Sequence, residues 1–382
     1  MDGCFRGGSK DLKQEKSVNG CTMVLKNLTE VPSTDPSNLL RLRDSVYSAD
    51  LFITAVAHLD FFSWLDKNPA DIQEVCSSLQ IEERPADVML TLFKSLNLIE
   101  EQEGLYHLTE LSKDHLIKQS PWFLGPYISS LKERPICDQM LNVLRTGKPA
   151  NWGAKKDGKE WSVAMEDDRF CEAFTAGMDS RGAYLAPVLA KTIDLSGYSR
   201  LLDIAGASGI YSSAIVSQQP HLTASVFEKP PVDRIAEHSI NKRNMSDKIG
   251  VIAGDMFIDE FPHGFDLHLF SNVLHDWDSR EVGTLLENSY RNLNPGGRIM
   301  IHDAHLNAEK NGPLPVAEYS VLLMFSTEGK CYSISEMEDM LSETGFSEIS
   351  QGKISVITCY HRMPLRSGIT PTIYTSAKIG NG

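Results

Sequence analysis

The chain has 382 residues, a length typical of one large domain with a smaller companion. Apolar residues make up 41% and charged residues 23%, which excludes a wholly disordered chain and predicts a packed core. The 37 lysines and arginines against 51 aspartates and glutamates give a net charge of −14. This acidic balance argues against nucleic acid or an anionic membrane surface as a partner.

The cysteines and the apolar runs indicate the cellular compartment of the protein. Seven cysteines are an odd number, and their spacing is typical neither of a zinc site nor of a disulfide framework. We find no run of about 18 apolar residues and no signal-peptide core near the start of the chain. We therefore expect a cytoplasmic protein without a membrane partner.

Four parts are predicted along the chain. Residues 1–35 and 367–382 are rich in Gly, Ser, Thr and Lys and are predicted as flexible tails. Residues 36–150 repeat apolar side chains at helical spacing, and a helix, turn, strand and helix within them are typical of a winged helix. Residues 151–366 alternate short strands with helices, which predicts an α/β domain with a mostly parallel sheet.

The strands of the α/β domain are predicted from short β-rich runs. In chain order these are SRLLDIAG, TASVFEK, IGVIAGD, DLHLFSNVL and GRIMIHDAH. The runs SEISQGK and SVITCYHR follow, close enough together to form a terminal antiparallel hairpin.

The first of these strands ends in a turn suited to ligand binding. In LLDIAGASGIY, Gly206 and Gly209 stand between the strand and the next helix, and small residues let a backbone approach a ligand closely. The carboxyl ends of parallel strands form the usual ligand crevice of such a sheet. Taken alone, the motif fits a tight turn without a ligand equally well.

The next two strands end in residues that suit an adenosine. Glu228 closes the second strand about twenty residues downstream, where an acid can accept both ribose hydroxyls. Asp255 follows the third strand and could accept the adenine amino group, while Met256 could lie against the ring. The three strand ends together predict an adenosyl cofactor; a degenerate domain of the same fold is the alternative.

The identity of this cofactor follows from what the turn lacks. It has neither the full G-x-G-x-x-G spacing of a dinucleotide site nor the G-x-x-x-x-G-K-[ST] loop of a nucleotide triphosphate site. Asp203, beside the turn, could instead receive a cationic group such as an amino-acid ammonium. This favours S-adenosyl-L-methionine.

These residues resemble the class I S-adenosylmethionine-dependent small-molecule O-methyltransferases, which include plant caffeate and bacterial polyketide and hydroxyindole enzymes. The likeness spans residues 36–362, and the family motif D-x-G-G-G-x-G is here DIAGASG, with Ala205 and Ala207 at two glycine positions. The resemblance implies a Rossmann-like methyltransferase sheet and a cofactor site that includes Ser271, where many relatives carry a lysine. The full predicted cofactor set is Asp203, Gly206, Gly209, Glu228, Asp255, Met256 and Ser271.

The segment LFSNVLHDWD carries the most family-specific signal. The resemblance implies that His275 is the general base, and an imidazole is the side chain closest to half-protonation at neutral pH. Asp303 matches the first of two family acids that hold this histidine. The second falls at Cys331, and Glu328 is near enough in sequence to substitute for it.

A metal site is the alternative interpretation of this region. His275, Asp276, His302, Asp303 and His305 could supply ligands to an iron ion, and the enzyme would then be a C-methyltransferase of a keto acid or enol. Strand alternation sends His302 and Asp303 to opposite faces, however, whereas metal ligands must converge. We therefore predict a site without a metal.

The helical domain has two possible roles. A winged helix commonly binds DNA, but the acidic chain shows no stripe of basic residues that would mark a recognition helix. The resemblance implies instead a homodimer in which each copy helps to wall its partner's pocket. Met178, Trp277, Met324 and Phe325 are candidates to line that pocket, although core packing explains them as well.

The sequence thus predicts a methyltransferase that acts on a hydroxyl of a small, aromatic or polyketide-like acceptor. Three other functions stay open at this stage. They are carbon methylation, use of the cofactor without methyl transfer, and a DNA-binding regulator.

Overall fold

The computed structural model describes residues 28–150, 168–354 and 372–379. The helices are α1 (Ser37–Asp44), α2 (Ser48–Ala57), α3 (Phe61–Leu65), α4 (Ile72–Leu79), α5 (Glu83–Ser95), α6 (Glu110–His115), α7 (Gly125–Ser129), α8 (Pro135–Thr146), α9 (Asp168–Thr192), α10 (Ile210–Gln218), α11 (Val232–Lys242), α12 (Ser279–Asn292), α13 (Leu314–Ser326) and α14 (Ile334–Thr344). The strands are β1 (Ile99–Gln102), β2 (Leu105–Leu108), β3 (Arg200–Ile204), β4 (Thr223–Glu228), β5 (Ile249–Ala253), β6 (Phe265–Ser271), β7 (Leu293–Ala304), β8 (Ser347–Ile354) and β9 (Thr372–Lys378).

The N-terminal region is helical with one hairpin. Strands β1 and β2 pair antiparallel across Glu103 and Gly104, whose φ angles of 52° and 82° give the left-handed turn that fits the twist of a hairpin. Helix α4 begins with a reciprocal capping box between Asp71 and Glu74. The predicted sequence of helix, turn, strand and helix is confirmed, and β1 is an additional strand before the turn.

A seven-stranded sheet forms the second part, in the order β5-β4-β3-β6-β7-β9-β8. The first five strands in this order are parallel, and β9 pairs antiparallel with both β7 and β8. The five strands predicted from SRLLDIAG to GRIMIHDAH are present, and the predicted run SEISQGK forms β8. The structure therefore confirms the fold class, an α/β sheet that is mostly parallel with an antiparallel edge.

The prediction at the C-terminus is wrong in one respect. The predicted tail over 367–382 contains β9, which lies between β7 and β8 and exchanges backbone hydrogen bonds with both. Thr375, Ser376 and Ala377 are all buried there, so a strand that reads as polar in sequence is covered on both of its faces. The expected hairpin partner, SVITCYHR, lies outside the described residues.

The N-terminal boundary also differs from the prediction. Within the predicted tail 1–35, Leu28 and Val31 pack against the sheet domain, and Asp35 accepts a hydrogen bond of 3.0 Å from the Tyr184 hydroxyl. These contacts hold the last eight residues of the predicted tail. Residues 1–27 and 151–167 lie outside the described residues.

Three apolar clusters position the functional site. One lies on each face of the sheet, and the third joins the helical N-terminal region to α13 of the sheet domain. Helix α13 is buried along almost its whole length, and it packs against α1, α2, α5 and α8 of the helical region. In the described part of the chain, no helix is both long and apolar enough to cross a bilayer.

Candidate active site

The predicted site residues meet at one edge of the sheet. Strands β3, β4, β5 and β6 are parallel neighbours, so their carboxyl ends lie side by side. The predicted residues stand in or just after these ends and after β7, and the full set is Asp203, Gly206, Gly209, Glu228, Asp255, Met256, Ser271, His275 and Asp303. This edge is where parallel α/β sheets bind ligands.

The turn after β3 is tight and left-handed. Ala205 and Ala207 have φ angles of 54° and 48°, and Gly209, with φ 70°, caps the N-terminus of α10. Gly206 has no room for a side chain, because an added Cβ would lie 2.5 Å from Cγ of Asp203. The two alanines therefore occupy a conformation that favours glycine.

Asp203 lies beneath this turn and is fully buried. Its Oδ2 accepts a hydrogen bond of 2.6 Å from the Ser212 hydroxyl, whereas its Oδ1 has no partner among the described residues. Burial raises the pKa of Asp203 to about 6. A cation near the turn would offset this uncompensated charge.

Glu228 connects the end of β4 to the same turn. Its carboxylate accepts hydrogen bonds of 2.9 Å from the backbone amides of Ala207 and Lys229. Burial raises the pKa of Glu228 to about 7, and these two amides act in the opposite direction. Each carboxylate oxygen keeps a second lone pair, so the residue can still accept hydroxyl groups of a ligand.

Asp255 and Met256 follow β5 on the other side of Glu228. Oδ2 of Asp255 lies 2.8 Å from the Lys229 ammonium, and Oδ1 accepts from the Phe257 amide. Burial acts to raise the pKa of Asp255, but the bonds to Lys229 and Phe257 outweigh it and lower that pKa. Met256 is half-buried, and the ring of Phe257 meets that of Trp277 edge to face at 4.6 Å.

This edge of the sheet fits a nucleoside that carries a positive charge. Asp203, Glu228 and Asp255 stand at neighbouring strand ends, and Lys229 compensates only Asp255, whereas a buried oxygen of Asp203 lacks a partner. Gly206 brings the backbone of the turn into direct contact with the Asp203 carboxyl group. Such a site attracts a cation and repels a phosphate chain.

His275 and Asp303 form a buried pair at the ends of β6 and β7. His275 lies in a short 3₁₀ turn (Leu274–Asp276), and its Nδ1 makes a short hydrogen bond to Oδ1 of Asp303. The second carboxylate oxygen accepts from the His275 backbone amide at 3.3 Å. In the neutral ring Nδ1 therefore carries the proton, and Nε2 keeps a free lone pair.

The charges around His275 favour its protonated form. Burial disfavours the imidazolium, but the carboxylates of Asp303 and Asp276 outweigh burial and raise the pKa of His275. For Asp303, burial acts to raise the pKa, and His275 outweighs it and lowers that pKa. Asp276 is the second carboxylate, with Oδ1 3.7 Å from Nε2, beyond hydrogen-bond distance.

The residues considered for the second family acid lie elsewhere or are neutral. The carboxylate of Glu328 lies 3.3 Å from the Lys148 ammonium, and no contact between Glu328 and His275 is found among the described residues. The structure therefore gives no support to Glu328 as a substitute for the missing acid. Burial raises the pKa of the Cys331 thiol well above its ordinary value, so this position holds a neutral group.

The loop after α13 nevertheless touches His275 through its backbone. An added Cβ on Gly329 would lie 2.0 Å from the His275 carbonyl oxygen. The Gly329 carbonyl accepts a hydrogen bond of 2.7 Å from Arg84 of α5, and the same guanidinium donates to the Gly147 carbonyl at 2.7 Å. The helical region thus braces the loop that packs against His275.

The histidines on and after β7 point to separate partners. Nδ1 of His302 lies 2.7 Å from the Ser271 hydroxyl, and Nδ1 of His305 lies 3.2 Å from the Tyr332 carbonyl. Burial lowers the pKa of His302 to about 3. Among residues 28–150, 168–354 and 372–379, no three His, Cys, Asp or Glu side chains converge as metal ligands.

Ser271 belongs to a polar chain at the end of β6. Besides its contact with His302, its hydroxyl accepts a weak hydrogen bond of 3.4 Å from the Asn272 amide. Asn272 also donates to the Tyr211 hydroxyl at 3.0 Å. Ser271 therefore connects β6 to β7 and α10 in this structure.

The structure divides the four apolar pocket candidates. Met178 is half-buried on α9, and Trp277 is half-buried beside Phe257. Met324 and Phe325 are fully buried in the cluster that joins α13 to the helical region, and Phe325 stacks on Tyr47 at 4.1 Å. The packing alternative holds for Met324 and Phe325.

Two arginines in the site were not singled out from the sequence. Arg243, at the end of α11, lies 3.0 Å from Asp179 of α9 and donates a hydrogen bond of 2.5 Å to the Ser208 carbonyl. These two contacts connect the glycine turn to α9. Arg181, also on α9, donates to the Tyr319 hydroxyl at 3.0 Å. The sequence did offer a signal for Arg181: it lies three residues after the pocket candidate Met178, and residues three apart share a helix face.

Comparisons with known proteins agree with this geometry. The family model described as "O-methyltransferase domain" matches residues 139–347. The 3-hydroxy-5-methyl-1-naphthoate 3-O-methyltransferase of Streptomyces sahachiroi is 29% identical over 299 residues, 78% of this chain and 86% of that protein. The L-tyrosine C(3)-methyltransferase of Streptomyces lavendulae is 27% identical over 308 residues, 78% of this chain and 84% of that one.

A solved structure extends the similarity to the whole fold. The O-methyltransferase family 2 protein from Planctomyces limnophilus, in complex with apigenin, is 27% identical with a TM-score of 0.76 and covers 92% of this chain and 98% of its own. The family match spans more than half of the chain and confirms the resemblance drawn from DIAGASG and LHDW. The chain belongs to the O-methyltransferase family.

Proposed function

We propose that the protein transfers the methyl group of S-adenosylmethionine to a hydroxyl of a small aromatic acceptor, with His275 as the general base. Family membership supports the reaction class. The single observation that carries the assignment of the base is the buried His275–Asp303 pair at the carboxyl edge of the sheet. It leaves Nε2 of His275 as a proton acceptor beside the predicted cofactor site.

The carboxyl groups and the glycine turn would hold the cofactor. In this proposal Glu228 binds the ribose hydroxyls, Asp255 and Met256 contact the adenine, and Asp203 faces the positive end of the molecule. Gly206, Gly209 and Ser271 complete the site by close approach and by orienting β6. When bound, S-adenosylmethionine supplies a methyl group on a sulfonium, which needs no covalent help from the protein.

The chemistry left to the protein is proton removal and alignment. An aromatic hydroxyl must lose its proton as it becomes a nucleophile, and Nε2 of His275 accepts that proton. Asp303 holds the ring in the tautomer with Nδ1–H and stabilises the imidazolium that forms. Alignment of the acceptor with the methyl group supplies much of the remaining rate enhancement.

Carbon methylation is the second candidate, because one relative is an L-tyrosine C(3)-methyltransferase. Incubation with S-adenosylmethionine labelled with ¹³C in the methyl group separates the outcomes. Phenols, hydroxyindoles and keto acids serve as acceptors, and the carbon chemical shift of the product identifies the methylated atom. A methoxy signal is expected; label on a ring carbon, or no labelled product with any acceptor, contradicts O-methyl transfer.

We further propose that the protein is a cytoplasmic homodimer. The helical region exposes apolar side chains that a second copy could cover, among them Leu42 on α1 and Tyr127 on α7, which are 74% and 81% exposed. Light scattering at micromolar concentration tests the dimer. Leu42→Asp and Tyr127→Asp are expected to give monomers, and a wild-type monomer would contradict the proposal.

A further inference from the structure

Arg181 lies beside the proposed base, one aromatic ring away from it. Its Nη1 donates to the Tyr319 hydroxyl at 3.0 Å, and its guanidinium carbon lies 5.0 Å from the centroid of that ring. The Tyr319 ring in turn meets the His275 ring edge to face, with centroids 5.6 Å apart. The guanidinium is therefore held close to the position at which an acceptor must present its hydroxyl to His275.

The charge of Arg181 has no carboxylate partner. Three other arginines that connect separate parts of the chain each contact an acid: Arg41 with Glu318, Arg134 with Asp50 and Arg243 with Asp179. Arg84 also lacks an acid, but four backbone carbonyls accept hydrogen bonds from its guanidinium. Within the described residues, no carboxylate lies within ion-pair distance of Arg181. A half-buried guanidinium that lacks an acid loses hydration without a compensating ion pair.

The acidic residues around Arg181 are engaged elsewhere. Asp44 bears on the electrostatics of Arg181 but forms its ion pair with Arg43 at 2.9 Å. Asp276 also senses the charge of Arg181, and its nearest cationic group is His275. A guanidinium has five N–H donors, and one bond to Tyr319 leaves most of them for a ligand.

We propose that Arg181 binds a carboxylate of the acceptor, so that the preferred substrates are hydroxyaromatic acids. This inference rests on the proposed function, because it concerns the acceptor of the same site. The planar fork of a guanidinium matches a carboxylate with two parallel hydrogen bonds, which fixes the orientation of the attached ring as well as its position. Arg181 is then a specificity-determining residue, and His275 remains the base.

Two other roles would give different kinetics. If Arg181 only packs against Tyr319, its loss weakens the binding of acidic and neutral acceptors equally. If it stabilises the ionised hydroxyl, its loss lowers kcat for both kinds of acceptor. Only the role of a carboxylate anchor predicts that the loss of affinity is confined to acidic acceptors. This loss would appear mainly in KM and in the binding constant.

The test compares each hydroxybenzoic or hydroxynaphthoic acid with its methyl ester. Calorimetry on the full chain, saturated with S-adenosylhomocysteine, measures binding of the acid and of the ester to four proteins. The wild type is expected to bind the best acid about 10- to 100-fold more tightly than its ester, the range of a charge-assisted hydrogen bond. Arg181→Met should bring this ratio close to one, and Arg181→Lys should retain part of it.

Arg200→Met is the matched control. Arg200 also lies over an aromatic ring, with its guanidinium carbon 4.8 Å from the Phe265 centroid, but it stands at the amino end of β3, away from the site. This variant should keep the wild-type ratio. A wild-type protein that binds no acid of the panel more tightly than its ester, or an Arg181→Met variant that keeps the ratio, overturns the inference.

Failure of this inference is distinguishable from failure of the proposed function. A protein that methylates esters and acids equally well is an O-methyltransferase without a carboxylate site. A protein that prefers acids in the binding experiment but forms no methylated product has the carboxylate site and lacks the proposed activity.

Discussion

The α-carbon of Gly329 packs against the carbonyl oxygen of His275, and a Cβ at position 329 would lie 2.0 Å from that oxygen. Such a distance is well inside van der Waals contact, and the atom in the way is backbone. We therefore expect Gly329→Ala to displace the 3₁₀ turn that carries His275. The expected result is a fall in kcat of at least about tenfold, because a misplacement of about 1 Å can cost about a hundredfold in rate.

Gly283→Ala provides the comparison for this variant. Gly283 lies in α12, where an added Cβ would meet nothing within 4 Å. This substitution should leave kcat unchanged and raise the free energy of unfolding by roughly 0.5–1 kcal/mol, as expected for glycine to alanine inside a helix. Equal rates for the two variants would contradict the role given to the Gly329 contact.

Asp303→Asn should change both the rate and its pH dependence. The substitution removes the carboxylate that raises the pKa of His275, and the base must be neutral to act. The acid limb of kcat/KM should therefore move to lower pH, while kcat falls by about 10² or more because the imidazole tautomer is no longer fixed. Initial rates between pH 5 and 9 give both quantities.

Asp276→Asn is the control for the dyad. Its carboxylate lies 3.7 Å from Nε2 of His275, and 40% of its side chain is exposed. We expect a smaller shift of the acid limb and a modest change in kcat. An unshifted limb in Asp303→Asn would show that this carboxylate does not set the pKa of the base.

Asp203 should make the stability of the ligand-free protein depend on pH. Burial raises its pKa to about 6, so the folded protein binds this proton more tightly than the unfolded chain does. Its contribution to stability is complete below the unfolded pKa of about 4 and is lost as the pH rises to about 6. The loss is on the order of 3 kcal/mol for a shift of about two pH units.

Chemical unfolding of the wild type and of Asp203→Asn at pH 4.5 and 7 measures this effect. The asparagine does not titrate, so the difference between the two proteins reports Asp203 together with its electrostatic effect on Glu228. The free energy of unfolding should fall with pH more steeply in the wild type than in the variant. Parallel pH dependences would contradict the raised pKa.

The left-handed turn after β3 predicts stabilising substitutions. Ala205 and Ala207 adopt φ angles of 54° and 48°, where an L-residue with a side chain is strained. Ala205→Gly and Ala207→Gly should each raise the free energy of unfolding by about 0.5–1 kcal/mol. Ala176→Gly, at an exposed position of α9, should lower it by a similar amount. If all three glycine substitutions lowered the free energy of unfolding, the backbone strain inferred at Ala205 and Ala207 would be contradicted.

Much of the fold could be predicted from the sequence because its signals are local. The five parallel strands are short β-rich runs between helical segments, and the glycine turn and LHDW motifs follow strand ends. The C-terminal strand β9 was missed because TIYTSAK reads as a polar tail, and its stability comes from pairing with β7 and β8. Such pairing is a tertiary contact that no local pattern records.

The site could be predicted only in part for the same reason. His275 and Asp303 are marked by motifs, and the structure brings them into contact. Three arginines form hydrogen bonds with residues far away in the sequence. The separation is 64 residues for Arg243 and Asp179, 245 for Arg84 and Gly329, and 138 for Arg181 and Tyr319. A single arginine in a helix reads as an ordinary solvent-exposed residue until its partner is known.

The rate of methyl transfer by His275→Asn is the most direct test of the account. Asparagine can still donate a hydrogen bond to Asp303 but has no Nε2 to accept the proton. At pH 7 the single-turnover rate should fall by about 10²–10⁴, with cofactor binding unchanged, and it should recover as the pH rises above the pKa of the acceptor hydroxyl. A variant that keeps the wild-type rate at pH 7 would show that His275 is not the base.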